Sequence, residues 1–235
     1  MQLNMMISKS PEQRLVLFYS AFTCIYFPAI LILLKYNNNI YNIGSYKFIP
    51  ILLVLMFAEV VKLSFSLLQS ESTIITKTEY KPSSKSKRFW TRILREIFKF
   101  IFFLITLSLI YYVVILLFGA PILTHREETI MLTITLSSLT FVPASLHLGV
   151  DTALSILLAT QKLKGSLLVD AVKVNIKATL LGTWLGAIVI PLDWDRPWQA
   201  WPIPCVTGAF FGYMLAHFIT LLKTLLMFET KKSNK

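Results

Sequence analysis

Residues 48–68 read FIPILLVLMFAEVVKLSFSLL, an almost unbroken apolar run. A bilayer core about 30 Å thick takes roughly 20 apolar residues in helical form to cross. A helix is the default because lipid cannot hydrate unpaired backbone groups. Polar and apolar residues do not alternate along the run, as they would in a strand of a membrane barrel. The run therefore predicts a transmembrane helix.

Similar apolar runs recur along the chain, which predicts an all-α, polytopic integral membrane protein with a single domain over residues 1–235. About six transmembrane helices are predicted, near residues 15–34, 48–68, 98–118, 130–150, 174–192 and 203–222. The composition agrees, with 55% hydrophobic residues, 15% charged residues and a mean hydropathy of +0.66. Soluble domains average about 25% charged residues, and disordered chains are poor in apolar residues. We expect the first run to be a span and not a cleavable signal peptide, because its apolar stretch is too long.

Lysine and arginine residues fall mainly on one side of the predicted topology. They concentrate before residue 15, in the 69–97 loop, in and beside the 151–173 connection, and at the carboxyl end. The opposite side has only Lys35, Lys47, Arg126 and Arg196. The positive-inside rule then predicts that both termini are cytoplasmic. The net charge of +11 thus indicates orientation in a membrane and not nucleic-acid binding.

A basic amphipathic segment is predicted at residues 86–99, on the cytoplasmic side of the third span. Its cations recur at helical spacing on one face, and apolar residues fall on the other; the cations are Arg88, Arg92, Arg95 and Lys99. A helix of this kind lies among lipid headgroups. It either orients the third span or contacts anionic lipid.

Charged residues inside or beside the spans are candidates for function. Glu59 and Lys62 stand three residues apart, on one face of the second span. A charge at mid-membrane costs about 2.5–3.5 kcal/mol on insertion scales, so neither is expected to face lipid. They form an internal ion pair or contact a substrate or partner. His147 and Asp151 stand four apart, as a second local pair or as headgroup or catalytic residues.

The sequence predicts no catalytic residue, no cofactor and no metal site. It lacks a glycine-rich phosphate loop, a GxSxG elbow and an HExxH motif. A hydrolytic zinc site takes three protein ligands, and the scattered histidines do not provide them. We expect His217, alone in an apolar helix, to hydrogen-bond to a neighbouring helix.

The densest pattern is residues 182–212, GTWLGAIVIPLDWDRPWQAWPIPCVTGAFFG. It contains two GxxxG motifs, one in each of the last two spans, which allow helix backbones to approach closely; their glycines are Gly182, Gly186, Gly208 and Gly212. Prolines stiffen the connection between these spans, and its tryptophans suit the depth of the headgroups. Three charges in this connection are close enough to pair or to hydrogen-bond the turn; they are Asp193, Asp195 and Arg196.

This segment resembles the signature of the PIG-F family of glycosylphosphatidylinositol (GPI) anchor biosynthesis, a pattern close to G-x-W-L-G-A-x-x-I-P-L-D-W-[DE]-R-P-W-Q-x-W-P-I. The matching positions are Gly182, Trp184, Leu185, Gly186, Ala187, Ile190, Pro191, Leu192, Asp193, Trp194, Asp195, Arg196, Pro197, Trp198, Gln199, Trp201, Pro202 and Ile203. The first 170 residues match the family in hydropathy alone.

The resemblance implies a multi-pass subunit in the endoplasmic reticulum membrane. It implies a heterodimer with a large, alkaline-phosphatase-like GPI ethanolamine phosphate transferase subunit. That partner carries the metal and moves phosphoethanolamine from phosphatidylethanolamine to a mannose of the GPI precursor, whereas the PIG-F-like subunit stabilises it without catalysing the reaction.

Three functions follow as hypotheses. In the first, the last two spans and their connection bind the large subunit; the candidate residues are Gly182, Trp184, Gly186, Trp194, Trp198, Trp201, Gly208 and Gly212. In the second, Asp193, Asp195 and Arg196 contact the headgroup of phosphatidylethanolamine or the GPI precursor at a shared active site. In the third, the intramembrane polar residues indicate a lipid transporter or scramblase.

Overall fold

The computed structural model describes residues 11–36, 42–74, 86–121, 123–160 and 166–233, and its regular structure there is helical. The helices are α1 (Pro11–Tyr36), α2 (Ile49–Ile74), α3 (Ser86–Leu117), α4 (Arg126–Leu148), α5 (Val150–Leu157), α6 (Leu167–Ala187) and α7 (Ile203–Ser233). Short 3-10 helices lie at Tyr46–Phe48 and Pro197–Gln199. The all-α prediction is confirmed.

Five stretches among the described residues are helical, long and apolar enough to cross a membrane. They are Glu12–Tyr36, Tyr46–Leu67, Ile93–Leu117, Arg126–Leu148 and Ile203–Met227. These coincide with the predicted spans at 15–34, 48–68, 98–118, 130–150 and 203–222. The chain is a multi-pass membrane protein. Its predicted orientation, with both termini cytoplasmic, stays a prediction.

The remaining predicted span, 174–192, corresponds to α6 but with different ends. Helix α6 starts after Ser166, whose hydroxyl accepts a hydrogen bond from the Val169 N–H at 3.2 Å. It ends at Ala187 because the ring of Pro191 would clash with the carbonyl four residues earlier in a continued helix. The helix therefore ends before residue 192, the approximate end predicted for this span.

Helix α6 is also more polar than the five candidate spans and is not among them in the described part of the chain. Its first half contains Asp170, Lys173 and Lys177. Its membrane placement thus depends on the helices that it packs against, chiefly α7, and its crossing stays a prediction.

Helix α4 is the central element of the bundle. Its side chains from Thr129 to Ser145 are mostly buried, with α2, α3, α6 and α7 packed around it. It ends at Leu148, two residues before the predicted end of that span, because Gly149 takes a φ of 83° that starts the short helix α5.

Helix α3 lies at the periphery of the bundle, with an apolar face exposed along its length. It touches α4 through the Ser108 and Ser137 hydroxyls, 2.8 Å apart, and through Tyr111 and Thr140, 3.0 Å apart. The predicted amphipathic segment 86–99 is the first part of this same helix. The side chains of residues 86–89 and 92 lie outside the described part, so its two-faced character and its cytoplasmic side stay predictions.

Candidate functional site

The two GxxxG motifs bring the backbones of α6 and α7 into direct contact in an antiparallel hairpin. A Cβ atom added to Gly182 would collide with the carbonyl oxygen of Gly208, and one added to Gly208 would collide with that of Gly182. A Cβ atom added to Gly186 would collide with the carbonyl oxygen of Pro204, and one added to Gly212 would collide with the carbonyl oxygen of Ala178. Any side chain at these positions would push the two helices apart.

This geometry changes the interpretation of the four glycines. The prediction of close helix packing is confirmed, but the packing joins two helices of the same chain. The contacting faces of Gly182, Gly186, Gly208 and Gly212 are used inside the hairpin. Their predicted role in binding a partner stays a prediction.

The connection between α6 and α7 is organised by a buried glutamine, Gln199. Its Nε2 atom donates to the carbonyl oxygens of Val189 at 2.6 Å, Ile190 at 3.4 Å and Leu192. These carbonyls follow the end of α6, where helical partners run out. Sequence reasoning noted Gln199 as part of the signature but missed this role, which its polar side chain among tryptophans and prolines could have suggested.

Trp201 ties the connection to the rest of the bundle. Its indole Nε1 donates to the Thr129 hydroxyl in the first turn of α4 at 3.2 Å, and its ring packs against the core. Trp201 thus anchors the connection internally, and its predicted role as a partner contact stays a prediction.

The outer side of the connection is exposed and aromatic. Trp184 on α6 is 53% exposed, Trp194 is 55% exposed and Trp198 is 39% exposed. The rings of Trp194 and Trp198 meet edge to face, with centroids 5.9 Å apart. These three tryptophans, which we call the tryptophan rim, are the predicted partner contacts that remain available on the surface.

Three charged residues lie beside the tryptophan rim. Asp193, Asp195 and Arg196 are all exposed, and Asp195 takes a φ of 45°. None has an ion pair or a side-chain hydrogen bond with another described residue. The expected pairing within the turn is therefore not formed among the described residues.

Glu59 and Lys62 form the predicted ion pair deep in the bundle. The Lys62 Nζ to Glu59 Oε1 distance is 2.8 Å, and the two side chains are 0% and 4% exposed respectively. Tyr26 and Tyr213 both donate to the same Oε1 atom, at 2.9 and 2.8 Å. Buried ion pairs are tolerated only where further hydrogen bonds satisfy the charges, and these hydroxyls satisfy the Oε1 atom of Glu59.

The ammonium of Lys62 also has further partners besides Glu59. It donates to the Thr23 hydroxyl at 2.8 Å and lies 4.1 Å from the centre of the Tyr19 ring, a cation–π distance. The prediction that neither charge faces lipid is confirmed.

The histidines surround this pair. His147 Nε2 lies 3.7 Å from Glu59 Oε2, and the His217 ring lies 4.7 Å from that of Tyr213. His217 Nε2 has no hydrogen-bond partner among the described residues, and the predicted bond from this side chain to a neighbouring helix stays a prediction. We call this group the buried polar cluster; it comprises Tyr19, Thr23, Tyr26, Glu59, Lys62, His147, Tyr213 and His217.

Asp151 lies outside this cluster. Its carboxylate pairs with Lys99 on α3 at 2.5 Å, near the surface. The predicted pairing of His147 with Asp151 was therefore wrong, because Gly149 interrupts the helix between them and re-directs the chain. Within the described residues, no group of histidine, cysteine and acidic side chains could hold a metal ion.

Comparison with known proteins gives a consistent set of relatives. The chain matches the GPI biosynthesis protein family Pig-F over residues 12–221. It is 36% identical over 104 residues to a human protein named GPI ethanolamine phosphate transferase, stabilizing subunit, covering 44% of this chain and 48% of that one. The mouse protein of the same name is 34% identical over 136 residues, 57% of this chain and 62% of that one.

A yeast relative carries a related name. Glycosylphosphatidylinositol anchor biosynthesis protein 11 of Debaryomyces hansenii is 38% identical over 109 residues, 46% of each chain. The matched region thus spans about half the length of these curated relatives. No solved structure matches the chain. Because the family match extends over most of its 235 residues, the chain belongs to the GPI biosynthesis protein family Pig-F.

Proposed function

We propose that this chain is the stabilising membrane subunit of a GPI ethanolamine phosphate transferase in the endoplasmic reticulum. The observation that carries the proposal is its membership of the family over residues 12–221, with relatives named as stabilizing subunits. In this role the chain binds the large, alkaline-phosphatase-like subunit. That subunit transfers phosphoethanolamine from phosphatidylethanolamine to a mannose of the GPI precursor.

The tryptophan rim supports a specific way of binding. Trp184, Trp194 and Trp198 expose large rings on the outer side of a hairpin whose inner side is closed by glycines. Aromatic side chains are enriched where proteins bind one another. The transmembrane part of the large subunit packs on this side, and the hairpin provides a rigid support.

The test is co-purification of the two subunits. Trp184→Ala should reduce the large subunit that co-purifies with the full chain in mild detergent and lower its steady-state amount. Phe102→Ala is the matched control, since Phe102 is also an exposed aromatic side chain but lies on α3. If co-purification is unchanged with both Trp184→Ala and Trp198→Ala, the proposal that the large subunit binds the tryptophan rim is overturned.

A second candidate function concerns the lipid headgroup. Asp193, Asp195 and Arg196 are exposed and lack partners among the described residues, which favours contact with something outside the chain. A guanidinium binds phosphate through paired hydrogen bonds, and a carboxylate binds an ammonium group. Phosphoethanolamine has both groups, so the chain would orient the headgroup beneath the large subunit.

Alanine variants separate the two candidates. If Arg196→Ala and Asp195→Ala keep the complex intact but abolish transfer, the headgroup role is supported. If both variants lose the complex together with transfer, these residues act in assembly. The third hypothesis, a transporter, lacks a supporting observation, since Glu59, Lys62 and His147 contact one another and neighbouring side chains inside the bundle.

A further inference from the structure

The buried polar cluster contains four side-chain atoms that have no hydrogen-bond partner among the described residues. They are the Tyr19 hydroxyl, Glu59 Oε2, His147 Nε2 and His217 Nε2. Buried polar groups in native proteins are nearly always paired with protein or with ordered water. Four such atoms on neighbouring residues therefore indicate that something binds among them.

The four residues come from four different helices and are neighbours in the bundle. Tyr19 is on α1, Glu59 on α2, His147 on α4 and His217 on α7. The centroid of the Tyr19 ring lies 4.9 Å from each imidazole. The Glu59 Oε2 to His147 Nε2 distance of 3.7 Å is too long for a direct hydrogen bond, so neither atom satisfies the other and both keep a position for a molecule beside them.

The charges of the cluster define the kind of ligand. The ammonium of Lys62 already supplies the cation for Glu59 at 2.8 Å, so a metal ion would meet a second positive charge. An anion would meet the carboxylate of Glu59. The orphaned atoms comprise one carboxylate acceptor, one hydroxyl and two imidazole nitrogens, each imidazole nitrogen a donor or an acceptor according to its tautomer. A neutral molecule that both donates and accepts fits this set.

We propose that the buried polar cluster is an internal water-binding site at the centre of the transmembrane bundle. The water donates to Glu59 Oε2 and accepts from the Tyr19 hydroxyl, and the two imidazoles take its remaining positions. Internal waters typically make about three hydrogen bonds to such buried groups. By joining one atom from each of four helices, the water locks the relative positions of α1, α2, α4 and α7.

The direction in which one substitution shifts the melting temperature tests the proposed water site. Tyr19→Phe removes only the orphaned hydroxyl. If that hydroxyl bonds the water, the full chain in lipid nanodiscs should melt at a temperature lower by about 2–4 °C, the loss expected for one ordinary hydrogen bond in a chain of this size. Tyr213→Phe is the matched control, because its hydroxyl bonds Glu59 directly at 2.8 Å, and it should lower the melting temperature similarly.

An unchanged or raised melting temperature would contradict the water site. Removing a hydroxyl that is buried without any partner relieves a desolvation cost, so an unchanged or higher melting temperature of Tyr19→Phe would overturn the proposal. A second measurement does not depend on variants. A density map of the wild-type chain that resolves other ordered waters should contain a peak among Tyr19, Glu59, His147 and His217, and a map without that peak would also overturn it.

Discussion

The substitution Gly208→Ala tests whether the hairpin depends on direct backbone contact. The added methyl group would collide with the carbonyl oxygen of Gly182 and would lie 3.0 Å from its carbonyl carbon. Both are backbone atoms, which cannot rotate away as a side chain would. The helices must therefore separate, and overpacking of this kind typically costs about 1–3 kcal/mol.

Helix propensity acts in the opposite direction. Alanine is more favourable than glycine in a helix by about 1 kcal/mol, so the net loss expected for Gly208→Ala is at most about 2 kcal/mol. For a chain of this size each kcal/mol lowers the melting temperature by about 2–4 °C. We expect the melting temperature of the full chain, purified in mild detergent, to fall by up to about 8 °C.

A double variant makes the test sharper. Gly182 and Gly208 oppose each other, and each collides with the carbonyl of the other. Once one alanine has separated the helices, the second should cost little, so the loss for the double variant should be clearly smaller than the two single losses added together. Thr207→Ala on the exposed side of α7 is the control and should leave the melting temperature nearly unchanged. A higher melting temperature for Gly208→Ala would refute the reasoning.

Two further predictions concern polar groups inside the bundle, measured by the same melting assay. Glu59→Ala should cost about 3–5 kcal/mol because it leaves the buried ammonium of Lys62 without its counter-charge. The double variant Glu59→Ala/Lys62→Met should recover part of that loss; no recovery would contradict the ion pair. Gln199→Leu should cost about 1–3 kcal/mol by leaving carbonyls of the connection unpaired. Gln199→Glu should cost more, because it points a charge at them, and a neutral effect would contradict the role of Gln199.

Features governed by local spacing could be predicted from the sequence. The three-residue spacing of Glu59 and Lys62 and the cost of charge in lipid together favoured an internal pair over a contact with a substrate or partner, and the pair is present at 2.8 Å. The repeated glycines required close helix packing, which is also present. Apolar run lengths likewise located five of the spans.

Features governed by the meeting of distant segments could not be predicted. Tyr213 reaches Glu59 across 154 positions of sequence, and Lys99 reaches Asp151 across 52. No periodicity within one helix encodes such contacts. The pairing of His147 with Asp151 was a reasonable inference from a continuous helix, and it failed because one glycine broke that helix between them.

The two sites of the molecule make different demands on the sequence. The buried polar cluster uses its charges internally, with donors from α1, α2 and α7 meeting on Glu59 Oε1. The tryptophan rim exposes large rings beside Asp193, Asp195 and Arg196, whose charges have no partner among the described residues. The hydrogen bonds to Glu59 Oε1 hold helices of the bundle together, whereas the exposed rings and charges of the other site are where we propose that a partner outside this chain binds. The hairpin glycines connect the two roles, because a rim can hold a partner in register only if the helices beneath it cannot slide apart.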